Sequence, residues 1–295
     1  MSAQEKYWIS SREGITSQHL SVLNEYLLSI KLANKADATI IKYRWILERF
    51  LRDCSIPLKD LTSGEVQQWL NVYSFRKKPK TIDLFLACLS SFFKFCQEED
   101  YMEGMVMKKR WRPRITQALP RYLNEQEYAR VKLAAERLSL RNRALILFFL
   151  SSGCRRAEIS NLNIEDIDFN KRTAEVKGKG SKIRFVHFTE ECALVLIDYL
   201  KERSSEQSDP LFLNRKGNRL LPKGIYEITK RFGQKIGINL HPHCFRHTFA
   251  TNMLARGASL EFIADEMGHA NLNTTRIYAR IPTEDMMMAY QSRMG

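Results

Sequence analysis

Gly268-His269-Ala270-Asn271-Leu272-Asn273-Thr274-Thr275-Arg276-Ile277-Tyr278 is the stretch on which the reading of this chain turns. It places a phenol nine residues after an imidazole, and two arginine boxes stand upstream of it: Ser152-Gly153-Cys154-Arg155-Arg156-Ala157-Glu158 and His243-Cys244-Phe245-Arg246-His247. Between the boxes lies a lysine in a glycine-flanked turn, Gly178-Lys179-Gly180. A phenol, two guanidiniums, an ammonium and imidazoles are the groups that could cut a phosphodiester without metal or water.

Phosphoryl transfer to a tyrosine has three demands. The phenol must lose its proton, the non-bridging oxygens gain charge, and the departing 5′ oxygen needs a proton. Without a metal, side-chain cations and hydrogen-bond donors must neutralise that charge. Arginine suits the oxygens because its planar fork donates two bonds and stays protonated. Lysine can stabilise the leaving oxygen and release a proton if its pKa is lowered. Histidine near neutrality can accept the proton of the phenol.

Taken singly, each group has an ordinary reading. Tyr278 could be a packed helix tyrosine, Lys179 a solvated hairpin tip, and Arg155 a partner for Glu158 across one helical turn. His243 and His247 could cap or pack, and His269 beside Gly268 could end a helix. Five boxes in one order and spacing reverse that judgement.

The composition agrees with a polyanion partner. The 295 residues suffice for two domains, and 47 Lys+Arg against 33 Asp+Glu leave a net charge of +14. Such an excess suits DNA, RNA or an anionic membrane. Membrane attachment is not expected, because the longest apolar stretch, Ala144 to Leu150, is far too short to span a bilayer. The N-terminus shows no signal core. The six cysteines, Cys54, Cys88, Cys96, Cys154, Cys192 and Cys244, form no CxxC pair, so reduced, mostly buried thiols in a cytoplasmic protein are expected, with no metal site.

Periodicity places these groups on elements. Leu20, Leu23, Tyr26, Leu27 and Ile30 share a helical face. A second helix follows Asp37 as its N-cap, a third starts at Thr62 or Ser63, and a fourth runs from about Lys80 to Glu98. Four short helices with short connections predict a compact bundle. From Met105 to Pro120 the pattern breaks, and Lys108, Lys109, Arg110, Arg112 and Arg114 crowd around Trp111 and Pro113 with no acid among them. Between two domains of a basic protein, this run reads as a strap against phosphates. The second domain opens at Asn124, an N-cap completed by Glu127. An apolar helix leads into the first arginine box, and residues 173–177 and 182–188 alternate as two strands joined by the Lys179 turn. Helices are expected at about 190–203, 222–236, 243–256, 259–267 and 272–280, with a short one after Pro282. The fold class is mainly α, with an α+β second domain. The segments are an N-terminal extension (1–14), a helical domain (15–105), a basic linker (106–120), a catalytic domain (121–282) and a tail (283–295).

On these motifs the chain resembles the tyrosine recombinases of the lambda-integrase family, most closely the short Xer-like members, over nearly its whole length. The resemblance implies a four-helix SAM-like core-binding domain joined to a DNA breaking-rejoining catalytic domain. Arg155 takes the place of the first catalytic arginine and Lys179 that of the general acid. His243 and Arg246 match the His-x-x-Arg box, Gly268-His269 the next box, and Tyr278 the nucleophile. Glu158 and His247 are supporting residues. Cys154 stands where leucine is more usual, and Arg156 where an apolar or small residue is common, and neither change removes a functional group.

The implied reaction is attack of Tyr278 on the scissile phosphate to give a 3′-phosphotyrosyl bond and a 5′ hydroxyl. Arg155, Arg246 and His269 hold the phosphate oxygens, and His243 helps deprotonate the phenol. A 5′ hydroxyl of the partner duplex reverses the step, and two exchanges pass through a Holliday junction, with no cofactor. The implied partners are double-stranded DNA carrying paired half-sites, three further copies of the chain, and an accessory protein in some systems. Each protomer is expected to close on its half-site as a C-shaped clamp, and the helices near Lys80 and from Lys223 to Lys235 are candidates for reading bases. The tail, with Met286, Met287, Met288 and Tyr290, is too apolar for a free end and docks either on a neighbour, the favoured reading, or in cis. With no separate domain ahead of residue 15, arm-type DNA sites are not expected. The rivals are a type IB-like topoisomerase, disfavoured by the short length and the tail, and a DNA-binding regulator without catalysis, disfavoured by the complete set of residues.

Overall fold

The computed structural model describes residues 7–115, 119–178, 182–203, 209–269 and 271–280. The chain divides into two compact units, Met1–Gln117 and Ala118–Gly295.

The first unit is built from α1 (Ser17–Leu32), α2 (Asp37–Asp53), α3 (Ser63–Ser74) and α4 (Pro79–Glu98). Thr62 and Glu65 close a reciprocal capping box at the start of α3, satisfying two N–H groups that the helix cannot. Asp37 is not a cap. Ala36 occupies that position, and Asp37 lies in the first turn, where its carboxylate complements the helix dipole and accepts from the Tyr7 hydroxyl. The apolar faces meet in a core of Leu23, Leu27, Leu47, Phe50, Leu89 and Phe93. Buried Tyr26 directs its hydroxyl to Ser91 Oγ at 2.8 Å. Residues ahead of α1 are tied down as well: Ser10 donates from its N–H to Asn24 and from its hydroxyl to Glu48. Val106 is buried in the same core and Trp111 packs against it, while Arg112 lies 3.9 Å from Asp83. The described part of the basic run therefore belongs to this unit, with Lys108, Lys109, Arg110, Arg112 and Arg114 all exposed.

The second unit carries α5 (Glu125–Ala135), α6 (Leu140–Ser152), α7 (Arg156–Asn161), β1 (Ile167–Asp168), β2 (Thr173–Lys177), β3 (Ile183–His187), α8 (Glu190–Lys201), α9 (Pro222–Lys235), α10 (Pro242–Ala255) and α11 (Leu260–Met267). Its core is organised on α6, whose residues 144–150 are all buried. A helix apolar on every side belongs in the middle of a domain. Phe149 stacks on Phe245 of α10 with ring centroids 5.5 Å apart, fixing the helix that carries the second arginine box.

The sheet is antiparallel in the order β1-β2-β3, with Glu175 opposite Phe185 and Val176 opposite Arg184. It has one strand more than the two expected. β1 is only two residues long and shows no alternation to read. The helix expected at 272–280 is absent. Two single 3-10 turns, Leu272–Thr274 and Tyr278–Arg280, stand there instead. The Asn271 side chain accepts the N–H of Asn273, and Tyr278 N–H donates to Thr275 O, so local bonds replace a regular ladder. The segment expected to form a tail helix lies outside the described residues.

Candidate active site

Two tight turns deliver the first group of side chains. Gly153 ends α6 in the left-handed region (φ 60°), and a Cβ there would fall 2.4 Å from Phe249 Cδ1. Only glycine fits, and the turn it makes delivers Arg155 to the N-cap of α7. Gly268 ends α11 in the same conformation (φ 61°) and leads directly into His269. His241 caps α10 by accepting from Cys244 N–H at 3.1 Å, with Pro242 at the first helical position. That start sets His243, Arg246 and His247 on one face at helical spacing.

The resulting cluster has a clear division of labour. Buried Glu158 accepts from the Arg155 N–H and from Arg155 Nη1, both at 2.8 Å. Arg184, from β3, forks onto the same carboxylate, Nη1 to Oε1 and Nη2 to Oε2, each at 3.0 Å. Burial alone would raise the Glu158 carboxyl, but Arg184 and Arg155 hold it below the usual carboxylate range. Arg246 is 4% exposed and spends two N–H groups on the carbonyls of Gly153 (2.7 Å) and Met267 (2.6 Å). Burial and the charge of Arg155 lower it to about 10, so it stays charged at neutrality. Arg155 Nη2 reaches the Gly268 carbonyl at 3.3 Å, and a third of its side chain faces solvent. Three guanidiniums against one carboxylate leave an excess of positive charge, the condition for holding an anion.

Tyr278 is 1% exposed, and its Oη lies 2.8 Å from His247 Nδ1. Burial pushes the phenol up to about 12, against the pull of Arg246 and Arg155. Burial, with His243 and Arg246 nearby, pushes His247 down to about 4, so its ring is neutral at pH 7. In the Nε2–H tautomer Nδ1 accepts from the phenol. His269 is likewise held at about 4, by burial and then by Arg246 and Arg155, and its Nδ1 lies 2.7 Å from the hydroxyl of buried Thr275. His243 is exposed on the first turn of α10, its ring centroid 6.4 Å from that of His247. Neighbouring groups still desolvate part of its ring and lower its pKa, aided by His241 and Arg246.

The sequence-derived residues Arg155, Glu158, Arg246, His247, His269 and Tyr278 thus meet in one place. The hydrogen-bond partner of the phenol is His247, not His243. Lys179 lies outside the described residues. The strands on either side pair as far as Lys177 and Ile183, and Gly178 N–H donates to Lys182 O at 2.8 Å. Sequence reasoning missed Arg184 and Thr275. Arg184 could have been found from the alternation of β3, which puts it on the same face as buried Val186.

Comparison with known proteins assigns the class. Residues 121–284 match the Phage integrase family, and residues 22–103 match the phage integrase N-terminal SAM-like domain. The chain belongs to the phage integrase family, and its class is that of the tyrosine recombinases. Among curated relatives it is similar to Tyrosine recombinase XerA of Pyrococcus horikoshii, 32% identical over 290 residues that cover 96% of each chain. It is also similar to Tyrosine recombinase XerC of Oceanobacillus iheyensis, 30% identical over 289 residues covering 92% of this chain and 94% of the relative. In fold it is like XerH site-specific recombinase bound to palindromic difH substrate, with a TM-score of 0.76 at 24% identity, covering 97% of this chain and 90% of that one. Among the described residues no helix is long and apolar enough to cross a membrane.

Proposed function

We propose that this chain is a site-specific DNA recombinase that cuts and rejoins one strand per protomer through a 3′-phosphotyrosyl bond at Tyr278. The observation that carries this is the 2.8 Å contact between the Tyr278 hydroxyl and a neutral imidazole, beside two arginines with charge to spare. The scissile phosphate docks on the exposed side of Arg155, with Arg246 behind it and His269 donating to a non-bridging oxygen. His247 takes the phenolic proton as Tyr278 Oη attacks phosphorus. The P–O5′ bond breaks, Lys179 protonates the departing oxygen, and exposed His243 bonds a phosphate oxygen. The new phosphodiester conserves the energy of the old one, so rejoining needs neither ATP nor metal.

Relatives with this family's sequence are named recombinases, and XerH and lambda integrase have been captured on their DNA sites. By extension the exposed cations from Lys108 to Arg114 contact phosphates and set affinity rather than sequence preference. Four strands must be cut, so four protomers act on paired half-sites in the cytoplasm and pass through a Holliday junction. The tail (283–295) docks on a neighbouring protomer.

Covalent capture tests the reading. Wild-type protein is incubated with a pool of nicked duplexes bearing randomised half-sites, and adducts that survive denaturation are sequenced. Enrichment of one inverted half-site by wild type and no adduct with Tyr278→Phe is expected. No adduct with wild type sinks the reading.

A further inference from the structure

We infer that Arg184 is a positioning residue that keeps Arg155 free to hold phosphate by supplying the counter-charge for Glu158; this rests on the function proposed above. Glu158 is needed where it stands. It caps the first turn of α7 at the Arg155 N–H, and it fixes the Arg155 guanidinium through Nη1. It is also a liability. A buried carboxylate paired with a single guanidinium cancels that guanidinium, and a neutral pair is a poor receptor for an anion.

Arg184 resolves the conflict. Its fork covers both Glu158 oxygens at 3.0 Å, so the carboxylate is balanced from the interior side and Arg155 keeps its charge toward solvent. The exposures fit this division, 14% for the Arg184 side chain and 33% for that of Arg155. Arg184 also donates from Nε to the Glu266 carbonyl at 2.9 Å, at the end of α11. Its guanidinium lies over Gly268, where a Cβ would come within 3.0 Å of Nη1. The Gly268 carbonyl in turn receives Arg155 Nη2. One side chain therefore braces Arg155 and the turn that presents His269, from a strand that begins four residues after Lys179.

The test is single-turnover adduct formation on the nicked duplex captured by the wild type, with DNA retention measured in parallel. Arg184→Met should slow the adduct by about 10²-fold or more while non-covalent retention changes by less than about threefold. The deciding variant is the double one, Arg184→Met with Glu158→Gln. Removing the unbalanced carboxylate should recover at least about tenfold over Arg184→Met, whereas a merely structural role leaves the double variant as slow or slower. If Arg184→Met fails to fold, Arg184→Lys and Arg184→Gln replace it. They are of similar size, and at matched melting temperatures Lys must cleave at least about tenfold faster than Gln. A wild type without adduct refutes the recombinase reading and this inference together. A wild-type adduct lost in Tyr278→Phe, alongside an Arg184→Met variant within about threefold of wild type or a double variant without recovery, refutes this inference alone.

Discussion

Replacing His247 with asparagine should separate proton transfer from packing. Asparagine is of similar reach and can still accept from the Tyr278 hydroxyl, but it cannot take the proton. The size of the effect follows from the surroundings of the phenol. Burial pushes Tyr278 up to about 12, so at pH 7 only about one molecule in 10⁵ carries a phenolate, equivalent to about 7 kcal/mol. A positioned base that takes the proton during attack recovers part of that cost, typically about 10²–10⁴-fold in rate. His247 is placed to accept it, with Nδ1 2.8 Å from the hydroxyl, and its ring, held at about 4, stays unprotonated at neutral pH. Single-turnover cleavage of a nicked duplex by His247→Asn should therefore fall by about 10²–10⁴-fold, with DNA retention unchanged. The pH profile gives a second reading. Wild type should be nearly flat between about pH 6 and 9, whereas the variant, left with hydroxide, should accelerate about tenfold per pH unit. A variant within about threefold of wild type, with the same flat profile, would refute the assignment of His247 as proton acceptor.

Lys179→Ala should abolish cleavage of an ordinary duplex yet cut one whose bridging 5′ oxygen is sulfur, because a thiolate leaves without a proton; equal loss on both substrates would mean that Lys179 is not the acid. Deleting residues 283–295 should leave binding to a single half-site intact and remove tetrameric synapses in gel shifts, and synapses that persist would overturn docking in trans. His247 and His269 are both held at about 4, below the unfolded value near 6.5, so the unfolded chain binds more protons between those limits. Their contribution to stability is present above about pH 6.5 and is lost as pH falls toward 4. The melting temperature should drop over that window, and less steeply in His247→Asn; an unchanged slope would contradict the burial of a neutral ring at this position.

Features that depend on neighbouring residues were legible in the sequence. The capping box Asn124–Glu127 is a local hydrogen-bond pattern and stands where its spacing put it, and the third helix starts where Thr62 and Ser63 placed it. The buried run 144–150 identified the central helix by its composition alone. What escaped was set by tertiary contacts or by elements too short to show a period. α7 and β1 span six and two residues. The 272–280 segment was expected to be helical, but Asn271 and Thr275 spend their side chains on local partners. Arg184 meets Glu158 across 26 residues and His247 meets Tyr278 across 31, and no spacing rule reaches that far. The reading of His243 as the base came from the His-x-x-Arg motif. The next residue but three on the same helical face, His247, is the one in contact with the phenol.

The most direct test of the account is to locate the covalent bond. The adduct trapped on a nicked duplex is digested with protease and nuclease, and the modified peptide is sequenced by mass spectrometry. The account predicts a nucleotide joined through its 3′ phosphate to Tyr278. A nucleotide on any other residue, or one joined through its 5′ phosphate, would contradict it.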